Sequence, residues 1–138
     1  MADHVAPSVR SRIMAAVRSR DTGPELALRQ ALHRLGYRYR VNVRALPGSP
    51  DLVFPSRRKV VFVHGCFWHG HSCRWGRAPK SRREFWFAKR AGNRRRDRRN
   101  LAELRQLGWR ALVVWQCELK RPGPAIRRAI RFLGPSKR

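Results

Sequence analysis

Residues 50–73 read PDLVFPSRRKVVFVHGCFWHGHSC, and this stretch carries the clearest indication of the fold. It contains two apolar runs, residues 52–54 and residues 59–63, on either side of a basic turn. Short apolar runs bounded by turn residues are typical of buried strands, so the pattern predicts a hairpin of two central strands. Asp51 opens the first strand, and a loop rich in His and Cys follows the second.

Two helices are predicted on the N-terminal side of this hairpin. Residues 7–20 place apolar side chains at near-helical spacing, which predicts a short N-terminal helix. Thr22 and Glu25 form a capping-box pattern for a second helix that ends at Gly36. The predicted apolar face of this second helix consists of Leu26, Leu28, Leu32 and Leu35.

The segments around the hairpin complete the predicted order of elements. Residues 37–43 alternate large apolar and basic side chains, the pattern of a half-buried strand. Ser81 and Glu84 predict a capping box before a long basic helix that ends near Gly108. The remaining predicted elements are a buried strand over residues 109–115 and a small terminal helix over residues 123–132. This order predicts one α/β domain with a mixed central sheet.

The chain is strongly basic, with 33 Lys and Arg against 8 Asp and Glu and a formal net charge of +25. Basic side chains placed on phosphates release condensed counterions, so a polyanionic partner is the natural inference. A GC-rich genome would explain part of the arginine excess but not the scarcity of acids. An anionic membrane surface is the alternative partner, but the basic residues are not gathered on one amphipathic helix.

The sequence contains no segment that predicts membrane insertion or secretion. Its apolar runs are far shorter than the roughly 18 to 20 residues that cross a bilayer. The N-terminus lacks the apolar stretch and the small-residue cleavage site of a secretory signal. We therefore expect a cytoplasmic prokaryotic protein that does not bind membranes.

Three cysteines cannot pair completely as disulfides, and metal ligation is a better use for them in a cytoplasmic protein. Three ligands fall close together in the loop after the hairpin, and a fourth follows a distant predicted strand. This spacing predicts a closed, structural zinc site formed by Cys66, His71, Cys73 and Cys117. The alternative is a set of buried, unliganded thiols beside unrelated histidines.

The same loop leaves His64 and His69 outside the predicted zinc site. Cleavage of a phosphodiester needs a cation, a hard oxygen ligand for that cation and a base that deprotonates water. Asp51 suits the ligand role and His69 the base. The alternative is that both histidines are ordinary structural imidazoles.

Four segments, PDLVFP, VFVHGCFWHGHSC, REFW and LGWRALVVWQCEL, resemble very short patch repair (Vsr) endonucleases. The resemblance extends over residues 14–119 and implies a restriction-endonuclease-like fold with catalytic magnesium. Relatives of that fold usually bind magnesium through a Pro-Asp step and a Glu-x-Lys step. Here Pro50-Asp51 is retained, whereas Phe62-Val63-His64 stands in place of Glu-x-Lys, as is typical of the Vsr group.

The resemblance also implies catalytic roles. Asp51 and the backbone carbonyl of Val63 would bind magnesium, His69 would be the general base, and His64 would contact the phosphate. Many relatives have Thr at the position of Val63, so any hydroxyl role is lost here. Glu25 is associated with the family's active site, although a helix-capping role competes with this. Asp97 would either orient His69 or form an ion pair with neighbouring arginines.

For DNA recognition, the resemblance implies an aromatic wedge. Phe67, Trp68 and Trp86 would insert from the major groove, and Met14 would enter from the other side. Lys89 and Asn93 match positions that contact bases in relatives, and an asparagine amide suits a base edge. A role in the core is the alternative for Trp86 and Met14.

The implied organisation is a DNA-contacting helix over residues 1–20, a Vsr-type core over residues 21–120, and a short helix with a basic tail over residues 121–138. The expected function is magnesium-dependent nicking of double-stranded DNA on the 5′ side of the thymine in a T:G mismatch. In the family, that thymine arises by deamination of 5-methylcytosine. We expect a nucleoid-associated monomer with possible host mismatch-repair partners. The rival hypotheses are a zinc-stapled, non-catalytic DNA-binding module and a basic RNA-binding protein.

Overall fold

The computed structural model describes residues 23–136. Within this range the helices are α1 (Gly23–Arg34), α2 (Arg83–Gln106) and α3 (Gly123–Leu133). The strands are β1 (Arg40–Val41), β2 (Leu52–Phe54), β3 (Lys59–His64) and β4 (Arg110–Trp115). Short 3-10 turns cover Pro55–Arg57, Arg74–Gly76 and Gln116–Lys120. The helix predicted over residues 7–20, with Met14, lies outside the described residues.

The described strands form one four-stranded mixed sheet in the order β1-β2-β3-β4. β2 and β3 pair antiparallel, with Leu52 opposite Val61, which confirms the predicted hairpin. β4 runs parallel to β3 and places Trp115 opposite His64 at their common end. The chain reaches β4 through α2, as expected for a parallel connection that requires a long crossover. The predicted α/β domain with a mixed sheet is therefore confirmed.

Apolar side chains are buried on both faces of the sheet. On one face, Val61 and Val114 pack with Leu28 of α1 and Ala129 of α3. On the other face, Val60 and Phe62 pack with Leu104 of α2. This division follows from the alternation of side chains along β3. Because His64 continues the series from Val60 and Phe62, the end of β3 turns it toward α2.

The predicted strand over residues 37–43 is much shorter in the structure. Only Arg40 and Val41 pair with β2, and both side chains are exposed. Two features limit the strand. Tyr37 turns into the core and donates a hydrogen bond to the carbonyl of Gly134, and Asn42 adopts a left-handed conformation with φ of 50°.

The predicted apolar face of α1 is partly wrong. Leu28 and Leu32 are fully buried, whereas Leu26 and Leu35 are exposed. The helix buries Glu25 and Arg29 instead, because they lie on the same side as Leu28 and Leu32 and face the sheet end at Asp51. A polar site at the sheet end therefore replaces part of the expected leucine stripe.

The predicted capping box of Ser81 and Glu84 is also wrong. α2 begins at Arg83, after Arg82 in a left-handed conformation, and the structure gives no side-chain cap there. Glu84 is consequently in the first turn but one position too early for a capping box. The predicted terminal helix is confirmed by α3, which buries Ala125, Ala129 and Leu133. None of the described helices is long and apolar enough to cross a membrane.

Candidate active site

The parallel ends of β3 and β4 gather the predicted zinc ligands. Cys66 lies two residues past β3, and Cys117 lies two residues past the paired end of β4. The loop after β3 supplies His71 and Cys73, and the ligand atoms of all four residues lie within 4.8 Å of one another. Tetrahedral zinc with sulfur ligands requires separations of roughly 3.5 to 4 Å, so small adjustments complete such a site.

The chemistry of this cluster also suits a metal. Burial raises the pKa of the Cys66 thiol to about 12. Burial raises the pKa of Cys73 as well, but hydrogen bonds from His71 and Cys66 outweigh it and bring that pKa to about 6. The cluster thus stabilises a thiolate, the form that binds zinc, at Cys73, whereas burial raises the pKa of Cys117. The Cys117 sulfur lies 3.6 Å from Nδ1 of His71, whose ring stacks on Trp115.

Asp51 immediately precedes β2, is half-buried and contacts Glu25. Its Oδ2 accepts a hydrogen bond of 2.6 Å from the backbone N–H of Val63. Burial, followed by a hydrogen bond with Glu25, raises the pKa of Asp51 to about 8. Glu25 itself is only 4% exposed and lies 3.5 Å from a guanidinium nitrogen of Arg29. The structure therefore unites Glu25 with Asp51, as the resemblance implied.

His64 and His69 form a stacked pair whose ring centroids are 4.1 Å apart. Asp97 of α2 lies 2.5 Å from Nδ1 of His69 and 3.9 Å from Nδ1 of His64. With Asp97 ionised, Nδ1 of His69 donates the hydrogen bond, which leaves Nε2 able to accept a proton. Of the two alternatives for Asp97, the contact with His69 is the one that the structure contains.

Asp51 and the histidine pair face the same cleft. This cleft has a volume of about 190 Å³, and its lining includes Gly48, Asp51, Val63, His64, His69 and Asp97. Gly48 has a φ of +79°, and a Cβ there would lie 3.0 Å from both Phe62 and Asn100. A glycine is thus needed where this wall of the cleft lies against Phe62 and Asn100. The two histidines also border a neighbouring cavity of about 330 Å³, lined in addition by Arg94 and Arg98.

The three predicted wedge residues that the structure describes lie together between α2 and the loop after β3. The ring of Trp86 on α2 lies 5.0 Å from that of Phe67 and 5.9 Å from that of Trp68. All three side chains are half-buried.

The two predicted base-contacting residues differ in exposure. Lys89 is exposed on α2. Asn93 is only 6% exposed, and its amide donates a hydrogen bond of 2.7 Å to the carbonyl of Trp68. Sequence analysis missed Arg90 and Arg94, which also bond to this loop from α2. Their only signal was helical spacing with Asn93, and Arg94 also lies within a run of arginines.

Comparison with known proteins places these features in a family. The family model described as DNA mismatch endonuclease Vsr matches residues 2–75. The type II nicking enzyme V.XorIIP of Xanthomonas oryzae pv. oryzae is 53% identical over 136 residues, covering 99% of this chain and 100% of the relative. DNA mismatch endonuclease Vsr of Escherichia coli K12 is 45% identical over 120 residues, covering 87% of this chain and 77% of the relative. The chain belongs to the Vsr family.

Membership of the Vsr family confirms the predicted resemblance and the restriction-endonuclease-like fold. It also assigns the chain to the DNA endonucleases as a reaction class. A further Vsr relative, the type II nicking enzyme V.NmeAIP of Neisseria meningitidis, is 45% identical over 120 residues, 87% of this chain and 86% of the relative.

Proposed function

We propose that this protein nicks double-stranded DNA on the 5′ side of the thymine in a T:G mismatch, using magnesium. The observation that carries the proposal is the cleft in which half-buried Asp51 faces the pair of His64 and His69, with Asp97 behind His69. This arrangement offers a hard oxygen ligand and a base within one small volume, which are the groups that phosphodiester hydrolysis requires.

The carboxyl groups of Asp51 and Glu25 fit a hard divalent cation. Two acidic groups in contact in a buried position repel each other when both are ionised, and a bound cation removes that cost. Asp51 and the carbonyl of Val63 would hold magnesium, which would neutralise the scissile phosphate and lower the pKa of water. Glu25 would support the site from α1 through its hydrogen bond with Asp51.

His69 is proposed as the general base. Asp97 holds the hydrogen on Nδ1, so Nε2 can take a proton from water while that water attacks the phosphorus. As the imidazole becomes charged, the Asp97 carboxylate stabilises it. A new P–O bond then forms from the water oxygen, and the bond to the leaving sugar oxygen breaks.

His64 would contact the scissile phosphate as a neutral group. Burial, together with the neighbouring His69, lowers its pKa to about 4 although Asp97 acts in the opposite direction. At neutral pH the ring therefore offers a hydrogen-bond donor without a positive charge. Positive charge beside the cleft comes instead from Arg94 and Arg98, which line the adjoining cavity and suit the flanking phosphates.

Mismatch recognition is assigned to Phe67, Trp68 and Trp86. Large rings clustered between α2 and the loop after β3 can insert at a step whose unstacking costs less, and a T:G wobble is such a step. Zinc bound by Cys66, His71, Cys73 and Cys117 would stiffen the loop that carries Phe67 and Trp68. Four protein ligands leave no open position, so this zinc would be structural. Met14 remains a predicted DNA contact, and Lys89 and Asn93 remain predicted base contacts.

A nicking assay tests the proposal directly. Two duplexes that differ only by T:G against C:G are incubated with the protein, with and without magnesium, in several flanking sequences. We expect one cut, 5′ to the mismatched thymine, that depends on both magnesium and the mismatch. Tight binding without any metal-dependent cut would support the non-catalytic DNA-binding module instead.

A further inference from the structure

One face of α2 is bonded to the loop between the first and second proposed zinc ligands. Three side chains take part, and each donates to a different carbonyl. Arg90 reaches the carbonyl of Phe67 at 2.7 Å, Asn93 that of Trp68 at 2.7 Å, and Arg94 that of Gly70 at 3.4 Å. Positions i, i+3 and i+4 share one face of a helix, so the three contacts form one interface.

Arg90 has the most extensive contacts of these three residues. Its side chain is 7% exposed, and its guanidinium also donates to the carbonyl of Gly76 and lies 5.3 Å from the centre of the Phe67 ring. We call residues 66–76 the zinc loop. Phe67 is near the start of this loop, and Gly76 ends the 3-10 turn that follows Cys73. Arg90 of α2 thus bonds to one residue near the start of this loop and to one at its end.

Gly76 allows this close arrangement. A Cβ at position 76 would collide with the backbone carbonyl of His71, so only glycine fits where the turn lies against the loop. A buried guanidinium is costly unless its donors are satisfied. Because the planar guanidinium of Arg90 meets two carbonyls and an aromatic face, the position suits arginine better than lysine.

We infer that Arg90 is a positioning residue that fixes residues 66–76 against α2 and so sets the rings of Phe67 and Trp68 relative to His69. Asp97 lies further along α2 and holds His69 itself. The helix therefore contacts both the aromatic rings and the proposed base of one loop. The proposed zinc ligands would anchor the loop at Cys66, His71 and Cys73, whereas Arg90 bonds to Phe67 and Gly76 on either side of His71 and Cys73. The inference rests on the proposed function for its catalytic consequence but not for the positioning itself.

The first test is hydrogen exchange in the free, zinc-loaded protein. The probes are loop amides that donate to other loop carbonyls, namely His69 to Gly65, Gly70 to Phe67, His71 to Cys66 and Gly76 to Cys73. Arg90→Met should speed their exchange by about tenfold, and Arg90→Lys should have an intermediate effect. The control is Arg96→Met, which removes the same charge from an exposed position on α2 and should leave loop exchange unchanged. Equal exchange in Arg90→Met and Arg96→Met would overturn the inference.

The second test compares nicking of T:G and C:G duplexes by the same variants. Arg90→Met should lower the T:G preference by about tenfold while zinc content stays at that of the parent. Arg96→Met should lower the nicking of both duplexes by the same factor. Faster exchange with an unchanged preference would overturn the coupling to recognition. If Arg90→Met does not fold, Arg90→Lys decides both tests. If the parent protein does not discriminate T:G from C:G, the proposed function is contradicted. Hydrogen exchange of the loop amides would still test the role of Arg90.

Discussion

The carboxyl group of Asp51 has the most unusual chemical environment among the proposed catalytic residues. Its pKa is raised to about 8 by burial and by Glu25, against 3.8 for an ordinary aspartate. Near neutral pH the carboxyl pair therefore keeps a proton that a bound cation must displace. The N–H of Val63 holds Asp51 in place without neutralising it. Asp51 is thus arranged to bind a cation rather than to remain a free anion.

Magnesium binding should consequently release about one proton at pH 7. Apparent affinity should weaken as pH falls below about 8, where Asp51 is protonated, and level off above that value. Calorimetric titrations in two buffers of different ionisation enthalpy measure the release. Asp51→Asn should bind no magnesium at this site and should retain duplex affinity but not nicking. Identical heats in both buffers would contradict the prediction.

Asp97 is a residue whose role depended on its neighbours in space. It was open whether this acid orients His69 or pairs with the arginines beside it, and the structure places it 2.5 Å from His69. Asp97→Asn should lower the nicking rate by about 10²- to 10⁴-fold with zinc content and duplex affinity unchanged. The matched control is Glu103→Gln, an exposed acid on the same helix. A rate in Asp97→Asn equal to that of the control would remove Asp97 from the mechanism.

At the scale of elements, the parallel pairing of β3 and β4 brings together the candidate metal-binding cluster. Because His64 lies opposite Trp115, the residues two positions beyond each strand end come together as Cys66 and Cys117. The loop after β3, between Cys66 and His71, carries Phe67 and Trp68, and α2 supplies Trp86. Three of the four candidate metal ligands and two of the three rings therefore lie in one strand-end loop.

Separate variants should distinguish the contribution of the metal to the T:G preference from that of the aromatic rings. Phe67→Ala combined with Trp68→Ala should keep about one equivalent of zinc but lose most of the T:G preference. Cys117→Ser should lose zinc and, with it, both loop order and preference. Phe87→Ala, which removes a ring that is 72% exposed on α2, is the control and should retain the preference. Zinc analysis and paired nicking rates are the measurements. A double variant as selective as the parent would move recognition to Lys89 and Asn93.

At the scale of the whole molecule, a net charge of +25 dominates the interaction with DNA. Binding to a matched duplex should weaken steeply with salt, with a slope of log affinity against log salt of roughly −5 to −9. The T:G preference should depend much less on salt, because ring insertion does not release counterions. Fluorescence anisotropy without magnesium, at several salt concentrations, measures both. A slope near zero would argue against extensive phosphate contacts.

Local patterns in the sequence were sufficient for the hairpin of β2 and β3, for β4 and for α3, because apolar periodicity reflects burial of nearby residues. Motif spacing was also sufficient for the metal-ligand cluster and for the family resemblance. The same reasoning misplaced the apolar face of α1 and the start of α2. Those features depend on packing partners that are distant in sequence.

Only the tertiary structure decided which polar groups meet. The bonds of Asp97 to His69, of Glu25 to Asp51 and of Arg90 to the zinc loop join residues that are 14 to 28 positions apart or belong to different elements. They depend on how α1 and α2 are rotated against the sheet, and the apolar contacts of the whole core set that rotation. The arginines of α2 look alike in sequence. Once α2 is docked, the Arg90 side chain is buried against the loop after β3 whereas Arg96 faces solvent, because burial is a property of the packed helix and not of the residue type.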